Sequence, residues 1–199
     1  MAERDGPQQM GTSRSKWKPL IIAVMLVTLD CILAPRLLAQ QDVHASLIPA
    51  AERKVAPSFH LISNQSKTVQ IRDFRGRVVL LNFWATACGG CILEIPSFIE
   101  IQHAYESRGF TAVGISTDVA YEGLKNVDQA WKRVRPFMES HAMNYPVLMG
   151  DDAVVNAYGF KSYPATYLID KSGRIAATYV GVVSKDDVEA NIKKLLSER

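Results

Sequence analysis

The stretch Asn82-Phe83-Trp84-Ala85-Thr86-Ala87-Cys88-Gly89-Gly90-Cys91-Ile92-Leu93-Glu94-Ile95-Pro96 constrains this chain more than any other. An apolar run from Val78 to Trp84 stops at a small-residue turn, and an apolar-periodic segment follows the second cysteine. Apolar residues at nearly consecutive positions imply a strand covered on both faces, as in a sheet with helices on each side. The strand–turn–helix reading puts Cys88 at a helix N-terminus, where unpaired N–H groups and the helix dipole favour negative charge. A thiol held there loses its proton more readily, and the thiolate is the form that attacks a disulfide. Cys91 follows one turn later, placed to resolve the mixed disulfide such an attack forms. The spacing therefore implies thiol–disulfide exchange chemistry.

The other cysteine, Cys31, falls in an apolar N-terminal segment, so Cys88 and Cys91 stand alone in the rest of the chain. A pair three apart closes too small a loop to staple a fold. Half of a zinc site is the competing reading, but zinc needs four ligands or three plus water. No second C-x-x-C exists, and His103 and His141 lie far outside ligand spacing. His44 and His60 likewise have no partner at catalytic spacing. Neither metal nor cofactor is expected.

Arg14, Lys16 and Lys18 precede an apolar run from Leu20 to Leu29, which Asp30 interrupts. A basic flank before roughly ten apolar residues matches an export signal, whereas a spanning helix usually needs about twenty. Leu37-Leu38-Ala39 offers a cleavage site; the other reading is an uncleaved anchor from about residue 19 to residue 39. Both put the remaining chain outside the cytoplasm, periplasmic or in the cell envelope, with any membrane association confined to residues 19–39. The net charge is +3, and five Lys/Arg against three Asp/Glu in residues 1–39 leave only +1 beyond them. No basic field for nucleic acid remains.

Residues 40–54 lack a pattern and read as a linker, leaving one domain over residues 55–199. Strands are expected over 56–62, at 69–71, over 78–84, 110–116 and 145–148, and as a hairpin over 166–169 and 175–180. Helices are expected from about 89 to 107 with Pro96 inside, and over 130–141, 152–158 and 185–197, with a polar loop at 117–128. The order β-β-β-α-β-α-β-α-β-β-α describes an α/β sandwich: a central mixed sheet flanked by helices, with an N-terminal β extension and a terminal antiparallel hairpin.

With Asn82-Phe83-Trp84-Ala85 before the cysteines, Glu94 and Pro96 after them, and Tyr163-Pro164-Ala165-Thr166-Tyr167-Leu168-Ile169-Asp170 further on, the chain resembles the thioredoxin superfamily. Within it, the likeness is to exported TlpA/ResA-type thiol–disulfide oxidoreductases, over about residues 56–196. Three departures stand out. Ala87 replaces the usual aromatic before the first cysteine, Gly89-Gly90 replaces pairs containing proline, and Asn82 stands where cytoplasmic thioredoxins carry a buried Asp.

The resemblance implies an enzyme with Cys88 as nucleophile and Cys91 as resolving thiol. Glu94 would be proton acceptor or electrostatic brake, unless it is only a solvated carboxylate complementing the helix dipole. Pro164 would be a cis-proline that lets the Tyr163 backbone pair with an incoming peptide; a plain trans proline is the alternative. Trp84 would wall the site, or simply pack in the core. The implied partners are protein thiols and disulfides, cytochrome c maturation among the contexts, with electrons from a membrane donor of DsbD/CcdA type. Two alternatives are a peroxiredoxin-like peroxidase and a copper-site thiol chaperone. The first expects proline and threonine seven and three residues before the cysteine, where Leu81 and Ala85 stand.

Overall fold

The computed structural model describes residues 42–198. The expected export or anchor segment, with Cys31 and its cleavage site, lies outside the described residues.

The seven strands are β1 (His60–Ser63), β2 (Thr68–Gln70), β3 (Val78–Trp84), β4 (Phe110–Ser116), β5 (Val147–Met149), β6 (Ala165–Ile169) and β7 (Ile175–Val180). They form one mixed sheet in the order β2-β1-β5-β4-β3-β6-β7, with β3, β4 and β5 parallel and the remaining pairs antiparallel. The helices are α1 (Gly89–Tyr105), the single turn α2 (Asp118–Tyr121), α3 (Val127–Ser140), α4 (Asp152–Tyr158) and α5 (Lys185–Ser197). This is the α/β sandwich expected from the sequence, with the hairpin of β6 and β7 at one edge.

Every residue of β3 is buried, as its unbroken apolar run requires. Because side chains alternate across a strand, Val78 and Leu80 join a core on one face with Phe98 and Ile101 of α1 and Val188 and Ile192 of α5. Val79, Leu81 and Phe83 join the opposite core with Val154 and Tyr158 of α4. Asn82 shares the face of Leu80, and so points toward α1. A third cluster joins Trp84 at the end of β3, Cys88, Cys91 and Val147 of β5 with Trp131 and Val134 of α3.

Several boundaries differ from expectation. β1 starts only at His60, Ile71 opens a 3-10 turn (Ile71–Phe74) instead of ending β2, and the expected loop at 117–128 contains α2. α3 starts at Val127 because Asn126 caps it, its side chain accepting from the Gln129 amide at 3.0 Å. The described part of the expected linker is docked on the domain. Val43 pairs with Val183, Ile48 N–H donates to Ala176 O at 2.8 Å, and Ala45 and Leu47 pack on the core. Arg53 is buried, reaching Asp170 at 3.1 Å and Glu198 at 2.6 Å. Main-chain hydrogen bonds, the alternate apolar side chains of Val43, Ala45 and Leu47 and one buried arginine hold this strap.

Candidate active site

β3 aims the chain at the site and β4 fixes its end, since the Thr117 amide donates to Trp84 O at 2.9 Å. Ala85 to Ala87 turn the backbone, and Cys88 becomes the N-cap of α1. Its sulfur accepts from the Cys91 amide at 3.2 Å, the position of a capping oxygen. Cys88 and Cys91 are joined in a disulfide with Cα atoms 5.3 Å apart. In this oxidised state both are buried, whereas Ala87 and Gly89 beside them are exposed.

Glu94, one turn past Cys91, is 2% exposed. Its Oε1 accepts from the Val183 amide at 2.9 Å and its Oε2 from Asn82 Nδ2 at 3.2 Å. Burial pushes its pKa up to about 8, against the two hydrogen bonds, which favour the carboxylate. The solvated-carboxylate alternative does not describe this residue. Its neighbour Leu93 is 61% exposed; β3 and the loop after β7 are what enclose Glu94. Asn82 also donates to Thr166 Oγ1 at 2.9 Å, so one amide ties α1 to β6. Tyr145 lies buried on the same side of the sheet; burial and then the nearby Glu94 charge raise its pKa, and its hydroxyl has no partner among the described residues.

The Tyr163–Pro164 peptide is cis. Pro164 is buried against the start of α1: a Cβ on Gly90 would lie 3.2 Å from Pro164 Cδ and 3.3 Å from Val182 Cγ2, whereas one on Gly89 would meet open space. Of the two glycines, then, Gly90 is the one whose replacement would press on its neighbours. Tyr163 is half-buried, edge-on to Tyr121 and Phe160 with ring centroids 5.1 Å away in each case. Among the described residues its backbone N–H and C=O have no backbone partner. Trp84 is 1% exposed, stacks at a tilt on Phe137 at 5.2 Å and packs in the same buried cluster as the two cysteines.

Asp118 escaped sequence reading because it stood in an apparent polar loop. It is fully buried; the Thr86 amide donates to its Oδ1 at 3.0 Å and Ser116 Oγ to its Oδ2 at 2.7 Å. The carboxylate thereby clamps the turn before Cys88 to the end of β4. No spacing in the sequence announces it. Among the described residues, no group of three or more His, Cys, Asp or Glu side chains gathers where a metal ion would be held.

A family model described as the AhpC/TSA family matches residues 53–178. The chain belongs to the AhpC/TSA family. This AhpC/TSA protein is 30% identical over 141 residues to the thiol-disulfide oxidoreductase ResA of Geobacillus thermodenitrificans, which covers 70% of this chain and 75% of that relative. It is 29% identical over 141 residues to the thioredoxin-like protein YneN of Bacillus subtilis, covering 71% of this chain and 78% of that one. Among solved structures, it resembles a thiol:disulfide interchange protein of the thioredoxin family from Chlorobium tepidum. The TM-score is 0.63 at 29% identity, over 75% of this chain and all of that one. With a C-x-x-C disulfide at the head of α1 and relatives of this kind, the AhpC/TSA protein has a thioredoxin-like fold and is a thiol–disulfide oxidoreductase acting on protein thiols.

Proposed function

We propose that the enzyme reduces disulfides of proteins outside the cytoplasm, with Cys88 as nucleophile, Cys91 as resolving thiol and Glu94 as proton acceptor. The observation that carries this reading is the buried Glu94, one turn behind a cysteine pair whose leading sulfur caps a helix. After a dithiol donor reduces the Cys88–Cys91 disulfide, the Cys88 thiolate attacks one substrate sulfur. The substrate disulfide breaks, one substrate thiol leaves, and a Cys88–substrate disulfide forms. Cys91 gives its proton to Glu94 and attacks the Cys88 sulfur; the second substrate thiol leaves and the Cys88–Cys91 disulfide returns. Two electrons have moved to the substrate.

Tyr163 and Pro164 are the proposed substrate-binding residues. The free backbone groups of Tyr163 suit an extended peptide pairing in strand fashion, and Trp84 supports the site from the buried cluster it shares with the two cysteines. The domain takes in the docked strap from about residue 42 as well as residues 55–199, with residues 1–39 as export signal or membrane anchor; the basic flank and apolar run support export. The donor is then a membrane protein of DsbD/CcdA type, and apocytochrome c cysteines are among the substrates, both by likeness to the exported branch.

A peroxidase reading finds Leu81 and Ala85, both fully buried, where proline and threonine are needed, so no hydroxyl is offered to a peroxide. A copper chaperone using both thiolates and a histidine would need that histidine beside the pair, and no group of three or more His, Cys, Asp or Glu side chains forms among the described residues.

The test is a trap: Cys91→Ser expressed in the native cell, followed by identification of proteins caught on Cys88. Exported proteins bearing cysteine pairs are the expected catch. Wild-type redox activity with an empty trap would refute direct exchange with protein thiols.

A further inference from the structure

Glu94 is held by the loop after β7, and that loop is held in turn by the strap at the start of the domain. Val43 N–H donates to Val182 O at 2.7 Å, and the Ser184 amide donates to Val43 O at 3.0 Å. Between them, the Val183 amide donates to Glu94 Oε1 at 2.9 Å. Val182 O and Val183 N–H are the two ends of one peptide group. We infer that Val43 is a positioning residue for Glu94, acting through the 182–183 peptide, so that the N-terminal strap tunes the site's proton acceptor. The inference rests on Glu94 serving the reaction as proposed above.

A carbonyl that accepts a hydrogen bond polarises its peptide, and the N–H at the other end becomes a better donor. A stronger donor to Glu94 favours its carboxylate, opposing the burial that pushes the proton on. The contact is close. Gly181 has φ +113°, and a Cβ built on it would lie 3.0 Å from Val43 Cγ2. The strap is fixed independently two residues on: Ala45 N–H donates to Asp187 Oδ2 at 3.1 Å, and Asn191 Nδ2 donates to Ala45 O at 2.7 Å. The geometry thus sets Val43 against the loop whether or not Glu94 is charged.

The ionisable groups around Glu94 are few. Cys88 and Cys91 precede it on α1, and the Tyr145 hydroxyl shares its side of the sheet. On the strap, His44 pairs with Asp187 at 3.5 Å, and at the start of α5 Lys185 pairs with Glu100. In the oxidised protein the cysteines do not titrate.

The experiment follows the Glu94 side-chain carboxyl carbon by NMR against pH in the oxidised full-length protein, its Val43→Pro variant and its Val43→Thr variant. Proline removes the N–H that reaches Val182; threonine keeps it. Val43→Pro should raise the midpoint by roughly 0.3 pH unit, about a twofold change in proton affinity, while Val43→Thr follows the wild type. A purely structural role would lower the unfolding temperature and leave the midpoint alone, and that result overturns the inference. Should Val43→Pro not fold, the wild-type Val43 amide decides instead. Its resonance should step at the midpoint of the Val183 amide, and the step should vanish in Glu94→Gln; no step in Val43 where Val183 has one refutes the coupling. A Glu94→Gln enzyme with unchanged exchange rates across pH would instead remove the proton-acceptor reading, an outcome separate from an unmoved Val43→Pro midpoint.

Discussion

Glu94→Gln in the oxidised protein should abolish a pH dependence of stability that the wild type carries. Burial raises the Glu94 pKa from the ordinary 4.5 to about 8, so the folded protein keeps this proton where the unfolded chain has released it. The native state therefore binds more protons between these values, and its stability falls as pH rises. A full pH unit between the two values is worth about 1.4 kcal/mol, less near each end, so the wild type should lose roughly 3.5 kcal/mol relative to the variant between pH 5 and pH 8. Below the unfolded value the loss is absent; above the folded value it is complete. Glutamine keeps an acceptor for the Val183 amide, and Asn82 can turn its oxygen toward the new amide, so the variant holds the same place. Urea unfolding midpoints of both proteins, taken every half pH unit, give the difference free of all other titrating groups. A difference that stays flat from pH 5 to 8, or that grows in favour of the wild type, refutes the claim of a buried proton at Glu94.

The two glycines between the cysteines should part company. Gly89→Ala meets open space and leaves the exchange rate within about twofold, whereas Gly90→Ala must displace Pro164 or Val182 and slows reduction of a protein disulfide about fivefold, the equivalent of roughly 1 kcal/mol. Equal rates for the two alanine variants, measured side by side, would contradict this packing. At the strap, Arg53→Met should lower stability by about 3 kcal/mol because Asp170 is left buried without its cation, and adding Asp170→Asn should recover most of that loss. Chemical denaturation of the two variants tests it: a loss under about 1 kcal/mol in Arg53→Met would mean that Ser172 and Arg174 alone satisfy Asp170.

The centre of this protein is readable from its sequence because two periodicities meet at Cys88. Seven consecutive buried positions in β3 and the capped start of α1 leave little freedom in where the sulfur sits. Pro164 is readable only in company, since the Thr166-Tyr167-Leu168-Ile169 strand after it makes the resemblance. What stays hidden is carried by backbone groups and by residues without a pattern. Asn82 looks like the loss of a buried acid, and with the structure in hand it is a donor to the buried acid that remains. Asp118 reads as solvated loop, yet it anchors the turn before Cys88 from a fully buried position. The strap of residues 42–54 makes its contacts mainly through main-chain atoms, which composition does not report.

These hidden contacts converge on one short loop. Gly181 N–H donates to Pro164 O at 2.9 Å, the Val182 side chain borders Gly90, the Val183 amide holds Glu94, and Ser184 caps α5 while binding Val43. The loop therefore touches the cis-proline, the head of α1, the proposed proton acceptor Glu94 and the strap within four residues. A shift of a few tenths of an ångström there reaches all four, because interiors packed this closely do not absorb volume changes locally. That convergence is why a side chain at position 90 would press on Pro164 and Val182 at once, whereas one at position 89 meets open space. It also makes residues 181–184, more than the cysteines' immediate flanks, the place where substitutions would retune the enzyme without removing its chemistry.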